Sequence, residues 1–159
     1  MKYFIDTEFY ERGRGYPIEL ISIGIVREDG EEFYAENLAC DLADLSDWLK
    51  ENVVPQLTEP KMLPTQIAEG IRKFIGDDSP PEFWGYYADY DWVVFCQLFG
   101  SMIKLPAKWP MYCRDLKQWC DMLGNPRLPK STFHHALSDA RWNRQIYQFL
   151  STYKQSQTS

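Results

Sequence analysis

The sequence predicts an α/β protein whose mixed central sheet begins with an antiparallel three-strand meander and is flanked by helices. Within the first 37 residues, three short segments rich in β-branched and aromatic side chains follow one another and are separated by turn-forming residues. The later segments carry apolar residues at three- and four-residue spacing, which is typical of amphipathic helices. The chain has 159 residues, of which 45% are hydrophobic, so it is long enough for one core and too short for two comfortable ones. We therefore expect one domain over residues 1–153, followed by a polar tail over residues 154–159.

Each predicted strand is bounded by residues that favour turns. The first strand, KYFIDTEF at residues 2–9, is followed by the glycine-rich connection ERGRGYP, and the second is IELISIGIV at residues 18–26. REDGEE forms a turn before the third strand, EFYAEN at residues 32–37. Tight turns between consecutive strands favour antiparallel pairing. A fourth, buried strand is predicted for PEFWGYY at residues 81–87.

Five further segments are predicted to be helical, because their apolar residues recur with helical periodicity. Gly76 and Gly124 are suited to end two of them, because glycine tolerates the left-handed backbone conformation found after helices. The predicted helices cover residues 41–57, 64–77, 91–103, 114–125 and 136–153.

Four acidic residues and one histidine carry the strongest functional signal: Asp6, Glu8, Asp91, His134 and Asp139. Residues two apart on a strand point to the same face, so Asp6 and Glu8 aim at one spot, roughly 7 Å apart along the chain. Taken singly, a D-x-E pair is usually a solvated face, His134 a loop histidine and Asp139 an ordinary first-turn acid. However, unpaired carboxylates in an aromatic, otherwise buried strand would be costly without a cation. Together the five residues predict a two-metal nuclease site.

The motifs that carry these residues resemble those of a known enzyme family. Acids on the first strand, after the fourth strand and on the last helix match the layout of a ribonuclease H-like fold. The segments DTE, YADYDW and HHALSDA resemble the three motifs of the DEDDh 3'-to-5' exonucleases. Together with IELISIGIV and RDLKQW, they are most similar to the ribonuclease AS group of adenosine-selective exoribonucleases. The resemblance covers nearly the whole chain.

The resemblance implies a role for each of the five residues. Asp6, Glu8 and Asp139 would bind one magnesium or manganese ion directly, Asp6 would bridge to a second ion, and Asp91 would support the pair through water. His134 would be the general base that deprotonates the attacking water. The implied substrate is the 3' end of single-stranded RNA, with A-rich tails preferred, and the implied assembly is a homodimer.

Some positions leave a choice or depart from the family pattern. Motif spacing, counted back five residues from Asp139, excludes His135 as the base. Asp89 competes with Asp91 as the second-motif acid, but it would also suit the N-cap of the following helix. The wider family commonly has His and Asn at the positions of Tyr86 and Tyr87, so its substrate contacts do not transfer directly to this chain.

Five residues that flank the acids are candidates for binding the substrate: Phe9, Glu19, Tyr87, Trp92 and Arg114. The aromatic rings could stack on any base, although core packing explains Trp92 about as well. Glu19 opens the second strand and could reach the mouth of the site, or it is a simple edge residue. Glu19 or a backbone group after Glu8 is the candidate acceptor of a hydrogen bond from a ribose 2'-hydroxyl. Arg114 could pair with a phosphate or with the adjacent Asp115.

The net charge of −6 argues against binding of long nucleic acids. Binding of long nucleic acids normally requires clustered lysine and arginine. Two bound Mg2+ or Mn2+ ions would instead neutralise the central acids and contact the scissile phosphate, so the expected substrate is a strand end and not a duplex. The resemblance implies that this end is RNA. A DNA exonuclease with the same mechanism is the alternative, and a non-catalytic ribonuclease H-like module that binds RNA or protein is a third hypothesis.

Apolar patterning and cysteine spacing predict a cytoplasmic protein with no membrane partner. The longest apolar stretches fall short of a membrane span, and charges in MKYFIDTEFYERG stand where a signal peptide needs an apolar run. The four cysteines lack C-x-x-C spacing, so we expect reduced, mostly buried thiols and no zinc site.

Overall fold

In the computed structural model, which describes residues 1–76, 80–130 and 134–157, a six-stranded mixed sheet carries helices on both faces. The strands are β1 (Lys2–Tyr10), β2 (Glu19–Arg27), β3 (Glu32–Asn37), β4 (Lys61–Met62), β5 (Glu82–Gly85) and β6 (Arg114–Asp115). The α-helices are α1 (Asp47–Asn52), α2 (Pro64–Ile75), α3 (Asp89–Leu98), α4 (Leu116–Met122) and α5 (Ala136–Gln157). The predicted α/β class, with a mixed sheet arranged as in a ribonuclease H-like fold, is confirmed.

The first three strands form the predicted antiparallel meander. β2 lies between β1 and β3 and pairs with both in antiparallel orientation. On the other side of β1, β5 and then β6 continue the sheet in parallel orientation, which gives the order β4-β3-β2-β1-β5-β6. β1 therefore has a hydrogen-bonded neighbour on each side, and side chains on it stand on a well-supported element.

Residues 41–57 do not form the single helix that their periodicity predicts. They fold as a short 3-10 helix at Leu42–Asp44, then α1, then a second 3-10 helix at Val54–Gln56. The side chains of Asp41 and Ser46 each accept a hydrogen bond from a backbone N–H of the following turn, so each begins a separate helix. A proline in the second 3-10 helix opposes continuation of α1, because it lacks an N–H group.

The boundaries of α2 and α3 differ slightly from the prediction. α2 ends before Gly76, whose φ of 71° suits a residue after a helix. The predicted last residue of that helix, Asp77, lies outside the described residues. α3 begins two residues earlier than predicted, at Asp89, and ends at Leu98 because the chain turns through Gly100, which has a φ of 92°.

Two short strands were not predicted from the sequence. β4 and β6 contain two residues each, too few to show alternation of apolar and polar side chains. β6 takes the first two residues of the predicted helix at 114–125, and the Asp115 side chain then caps α4 by accepting from the backbone N–H of Gln118. The predicted strand at 81–87 is likewise limited to β5, and the chain turns at Tyr87, where φ is 54°.

The apolar core occupies both faces of the sheet. Because side chains alternate along β1, Ile5 packs with Ile67 of α2 and Phe95 of α3, whereas Phe4 packs with Ala140 of α5 on the opposite face. α5 continues to Gln157, so it extends into the predicted tail; Thr158 and Ser159 lie outside the described residues. The domain boundary at residue 153 stays a prediction. Across the described ranges, the helices lack the combination of length and hydrophobicity that crossing a bilayer requires.

Candidate active site

Three carboxylates meet beside the central strand. Asp6 and Glu8 lie two residues apart on β1, and Asp139 lies in the first turn of α5. One carboxylate oxygen from each of the three residues lies within 4.8 Å of those of the other two. Such an oxygen cluster suits Mg2+ or Mn2+, which prefer carboxylate ligands. The structure thus brings together three of the four predicted acids.

The cluster lies in a cleft of about 470 Å³ that also contains the fourth acid and the predicted base. Pockets of a few hundred Å³ are typical of sites for small ligands. The cleft is lined by Asp6, Thr7, Glu8, Phe9, Tyr86, Tyr87, Asp91, His134, Asp139, Trp142 and Asn143.

Close approach of α5 to the sheet brings Asp139 to the cluster. Gly24 on β2 pairs with Asp6, and a Cβ atom at this position would lie 2.4 Å from the backbone of Ala136, the first residue of α5. Glycine is therefore required where the helix begins against β2. One turn after Asp139, the Asn143 amide donates a 2.8 Å hydrogen bond to the carbonyl oxygen of the β1 residue that precedes Asp6. These two contacts hold the start of α5 beside the acids of β1.

Asp91 lies beside the cluster and is tied to β1. It is buried in the first turn of α3, and its Oδ1 accepts hydrogen bonds from the backbone N–H of Thr7 at 2.8 Å and from the Thr7 hydroxyl at 2.6 Å. Thr7 lies between the two acids of β1, so the contact joins α3 to the strand that carries them. The competing acid, Asp89, is exposed and does not line the cleft, so the geometry favours Asp91. The N-cap role predicted for Asp89 is wrong, because Ala88 is the N-cap residue of α3.

The two adjacent histidines have different surroundings. His134 is exposed and lines the cleft, and its ring lies edge-on to Trp48 with 5.0 Å between ring centroids. The ring of His135 stacks on Tyr34 at 4.7 Å, and its Nε2 lies 3.3 Å from the hydroxyl of Thr58. Burial lowers the pKa of His135. His134 is thus the histidine that a substrate in the cleft can reach, in agreement with the motif spacing.

Burial raises the pKa values of Asp6, Glu8 and Asp91 in the protein without bound ions, and repulsion by neighbouring acids adds to the rise for Asp6 and Glu8. Desolvation, followed by the charges of Asp139 and Asp91, raises the pKa of Glu8 to about 8. The pKa of Asp6 is raised well above its ordinary value by desolvation and then by the other three carboxylates. Burial raises the pKa of Asp91 to about 6, although its hydrogen bonds from Thr7 favour the ionised form.

This electrostatic state fits a metal centre. Within residues 1–76, 80–130 and 134–157, no lysine or arginine forms an ion pair with Asp6, Glu8 or Asp91. Acids that repel one another in a partly desolvated cleft require positive charge to ionise together. Divalent cations would supply that charge, and the three clustered carboxylates provide the hard oxygen ligands that such ions prefer.

Comparison of the sequence with known proteins shows the family of this chain. Residues 1–151 match the model of the 3'-5' exoribonuclease Rv2179c-like domain. The chain belongs to this exoribonuclease family. It is 41% identical over 150 residues to the 3'-5' exoribonuclease Rv2179c of Mycobacterium tuberculosis strain ATCC 25618 / H37Rv, and the alignment covers 89% of this chain and 88% of that protein. The 3'-5' exoribonuclease MT2234.1 of strain CDC 1551 / Oshkosh is similar to the same extent. The predicted 3'-to-5' exoribonuclease is thereby confirmed at the level of the family.

Two of the predicted substrate contacts lie in the cleft of this exoribonuclease domain. Phe9 stacks on Tyr90 with 5.5 Å between ring centroids, and it follows a β-bulge: Glu8 pairs with Ser22, but Phe9 pairs with Leu20. Bulges next to active sites redirect side chains. Tyr87 is 64% exposed, so its ring is available to a ligand. Binding of substrate by Phe9 and Tyr87 stays a prediction.

The other three predicted contacts do not line the cleft. The Glu19 carboxylate accepts a 2.7 Å hydrogen bond from Arg12 and lines a separate cavity of about 370 Å³. Trp92 is buried and packs on Phe83, as the core interpretation expects. Arg114, on the edge strand β6, has its guanidinium 3.4 Å from the Glu82 carboxylate and over the rings of two aromatic residues, Trp84 and Tyr112.

Three residues that line or support the exoribonuclease cleft were not identified from the sequence. Thr7 and Asn143 have defined roles in holding Asp91 and α5, and Gly24 is needed for close packing. Asn143 lies four residues after Asp139 and so shares its helix face, which is a signal that could have identified it. The role of Gly24 had no local signal, because it depends on a helix more than 100 residues away in the sequence.

Proposed function

We propose that this chain hydrolyses single-stranded RNA from the 3' end, one nucleotide at a time, with two Mg2+ or Mn2+ ions held by Asp6, Glu8 and Asp139. One observation carries the proposal: in a member of an exoribonuclease family, three carboxylates lie within 4.8 Å of one another in a cleft that also contains His134. Asp91 supports the metal centre from its position on α3.

The residues of the cleft suit a phosphodiester hydrolysis. When bound, a pair of divalent ions activates the attacking water and stabilises charge on the leaving 3'-oxygen. The imidazole of His134 takes a proton from that water, since histidine can accept a proton near neutral pH. The water oxygen forms a bond to phosphorus and the bond from phosphorus to the 3'-oxygen breaks. The products are a nucleoside 5'-monophosphate and an RNA shortened by one residue with a new 3'-hydroxyl.

The size and lining of the cleft favour a strand end as the substrate. A volume of about 470 Å³ suits a terminal nucleotide rather than a duplex. Aromatic side chains, among them Phe9, Tyr87 and Trp142, line it and offer surfaces on which bases can stack. The charge of −6 agrees with a protein that grips a short end instead of a long phosphate backbone.

Within the family, we place the chain among DEDDh enzymes of the ribonuclease AS type, with a preference for A-rich tails. The support is the motif set DTE, YADYDW and HHALSDA, whose acids and first histidine all line one cleft. Discrimination against DNA requires a contact to the 2'-hydroxyl, and base preference requires contacts to base edges. A cytoplasmic homodimer is part of the same proposal, and light scattering in solution would measure the assembly.

The test is degradation of 5'-labelled oligoadenylate RNA compared with a matched DNA. Mg2+ or Mn2+ should support stepwise shortening of the RNA, EDTA should abolish it, a 3'-phosphate should block it, and DNA should be cut far more slowly. Asp6→Asn should be nearly inactive yet folded, whereas Asp121→Asn, which changes an exposed acid on α4, should keep full activity.

Each alternative hypothesis predicts a different result. Equal rates on RNA and DNA would favour a DNA exonuclease of the same mechanism. Binding of RNA without cleavage at any metal concentration would favour a non-catalytic module. Full activity after removal of metal would refute the two-metal proposal, and equal rates on A, C and U tails would remove the adenosine preference alone.

A further inference from the structure

A fifth acidic residue, Glu36 on β3, is buried outside the cleft and holds a loop in place. Glu36 is only 2% exposed. Its Oε1 accepts hydrogen bonds from the backbone N–H groups of Thr58 and Glu59 and from the Tyr34 hydroxyl. Its own backbone N–H donates to the carbonyl of Pro60 at 2.9 Å. Hydrogen bonds to an ionised carboxylate are stronger than those between neutral groups. The loop at residues 58–60 is therefore tied to β3 mainly through one side chain.

Two of the residues that Glu36 binds also contact His135, through other groups. The Tyr34 ring stacks on the His135 imidazole with 4.7 Å between centroids and an angle of 18° between planes. The Thr58 hydroxyl lies 3.3 Å from Nε2 of the same imidazole. Glu36 thus holds the hydroxyl of Tyr34, on whose ring His135 lies, and the backbone of Thr58, whose hydroxyl lies at the edge of that imidazole.

His135 in turn connects to the two functional residues of the α5 segment. It follows His134 directly in the chain. Its backbone N–H donates to Oδ2 of Asp139 at 3.2 Å, and its carbonyl accepts from the backbone N–H of Asp139 at 3.0 Å. Its Nδ1 lies 3.4 Å from the backbone N–H of Ser138, as in a helix cap. A displacement of His135 would therefore move the base and a metal ligand together.

We propose that Glu36 is a positioning residue for catalysis, which acts through Tyr34, Thr58 and His135 to hold His134 and Asp139 in register with the acids of β1. This inference rests on the exoribonuclease function proposed above. Glu36 does not line the cleft, so it touches neither substrate nor metal.

A retained buried carboxylate fits this role better than simple packing. Burial of a charge is unfavourable unless it is hydrogen-bonded, and an apolar residue at a sheet position usually serves stability as well. Among the described residues, no group donates a hydrogen bond to the buried Oε2 of Glu36, so protein groups bind only one of its two oxygens. Of the three residues that donate to Glu36, Tyr34 and Thr58 contact His135, and Glu59 is next to Thr58 in the chain. Misplacement of a catalytic group by about 1 Å can lower the rate by about 100-fold.

The experiment compares Glu36→Gln, Thr58→Val and Tyr34→Phe with the control Tyr3→Phe. Tyr3 also loses one hydroxyl hydrogen bond, to the carbonyl of Ile75, but its ring packs with Phe74 and Phe83 in a different part of the core. For each variant, kcat, KM, the Mg2+ concentration for half-maximal rate and the melting temperature are measured. We expect kcat to fall about 5- to 50-fold in Glu36→Gln and about 3- to 10-fold in the other two variants, with KM within twofold of the parent. Tyr3→Phe should lower the melting temperature and leave kcat unchanged.

A second readout does not depend on activity. The chain contains two histidines, so their ring proton signals can be followed by NMR in the protein without metal. The His135 signals carry the ring-current shift of Tyr34 and should move in Glu36→Gln and in Thr58→Val, and the His134 signals should move with them. Neither histidine should respond to Tyr3→Phe.

The outcomes separate this inference from the proposed function. If Glu36→Gln and Thr58→Val retain kcat within twofold and leave the histidine signals in place, Glu36 has only a structural role and the inference is wrong. If the parent protein does not cleave RNA, the proposed function fails, yet unmoved histidine signals would still refute the coupling from Glu36 to His135. Should Glu36→Gln not fold, Tyr34→Phe decides the question, because it removes a hydrogen bond to Glu36 and keeps the ring that stacks on His135.

Discussion

The metal-free protein should become more stable when Glu8 is replaced by glutamine. Glu8 has an ordinary pKa of 4.5, and burial with the charges of Asp139 and Asp91 raises its pKa in the folded protein to about 8. Between these two values the folded protein keeps a proton on Glu8 that the unfolded chain has released. The free energy of unfolding therefore falls as the pH rises from about 4.5 towards 8.

The size of the effect follows from the two pKa values. At about 1.36 kcal/mol per pH unit, Glu8 lowers the stability of the metal-free protein at pH 7 by roughly 3 kcal/mol relative to an acid with its ordinary pKa. Glutamine removes the ionisation but remains a polar group in a partly buried site, so we expect Glu8→Gln to gain about 1–3 kcal/mol at pH 7. For a chain of this length, that corresponds to a rise in Tm of very roughly 2–12 °C.

Calorimetry in EDTA at several pH values measures this difference. The gain should be largest near pH 8 and should vanish near pH 4, where Glu8 is protonated in both states. Added Mg2+ should raise the Tm of the parent by mass action and that of Glu8→Gln much less, because the variant lacks a ligand. Glu51→Gln, at an exposed position on α1, is the matched control and should change neither profile. A metal-free Glu8→Gln protein that is less stable than the parent at pH 7 would refute the electrostatic interpretation of the cluster.

Four further substitutions test the geometry of the site. His134→Ala should lower kcat by roughly 10²- to 10⁴-fold with metal affinity retained, as for loss of a general base, and His135→Ala should cost much less; the reverse order would show that the motif register is wrong. Gly24→Ala should lower the rate in oligonucleotide assays about 100-fold or more, because a methyl group would force the start of α5 away from β2. The Mg2+ affinity, measured by calorimetry, should fall as well. Wild-type activity would contradict the required close approach. Thr7→Val should lower kcat about 10-fold and the free energy of unfolding by about 1–3 kcal/mol, because Asp91 loses a 2.6 Å hydrogen bond, and an unchanged rate would argue against a supporting role for Asp91.

Local patterns were sufficient for most of the fold. The antiparallel meander was predictable because alternation of side chains and turn residues in the first 37 residues is a property of neighbouring positions. Residues 41–57 show where this reasoning fails, since helical periodicity continued across Ser46, whose side chain begins a new helix. β4 and β6 could not be predicted because a two-residue strand is defined by its partner and not by its own sequence.

In the candidate site, too, some features were predictable from local sequence and others depend on distant contacts. The shared direction of Asp6 and Glu8 follows from strand geometry alone, and motif spacing was enough to select His134 and Asp139. Motif alignment favoured Asp91 over Asp89, and Asp91 is the one of the two that lines the cleft. Its burial against Thr7, however, is a contact across 84 positions. Glu19 was predicted to reach the mouth of the site but does not line the cleft. Its carboxylate is instead paired with Arg12, which lies in the connection after β1.

By itself, therefore, the sequence determined the meander, the face on which the β1 acids lie and the identity of the metal-site candidates, because each depends on local periodicity or on spacing along the chain. How these residues meet depends on long-range packing. Asp139 joins β1 because Gly24 leaves room for α5, and Asp91 is held there by Thr7. Glu36 is linked to His135 through the loop that contains Thr58 and through Tyr34 of its own strand. These contacts join segments up to more than 100 residues apart, and close packing and burial, which no local pattern encodes, determine which of them form.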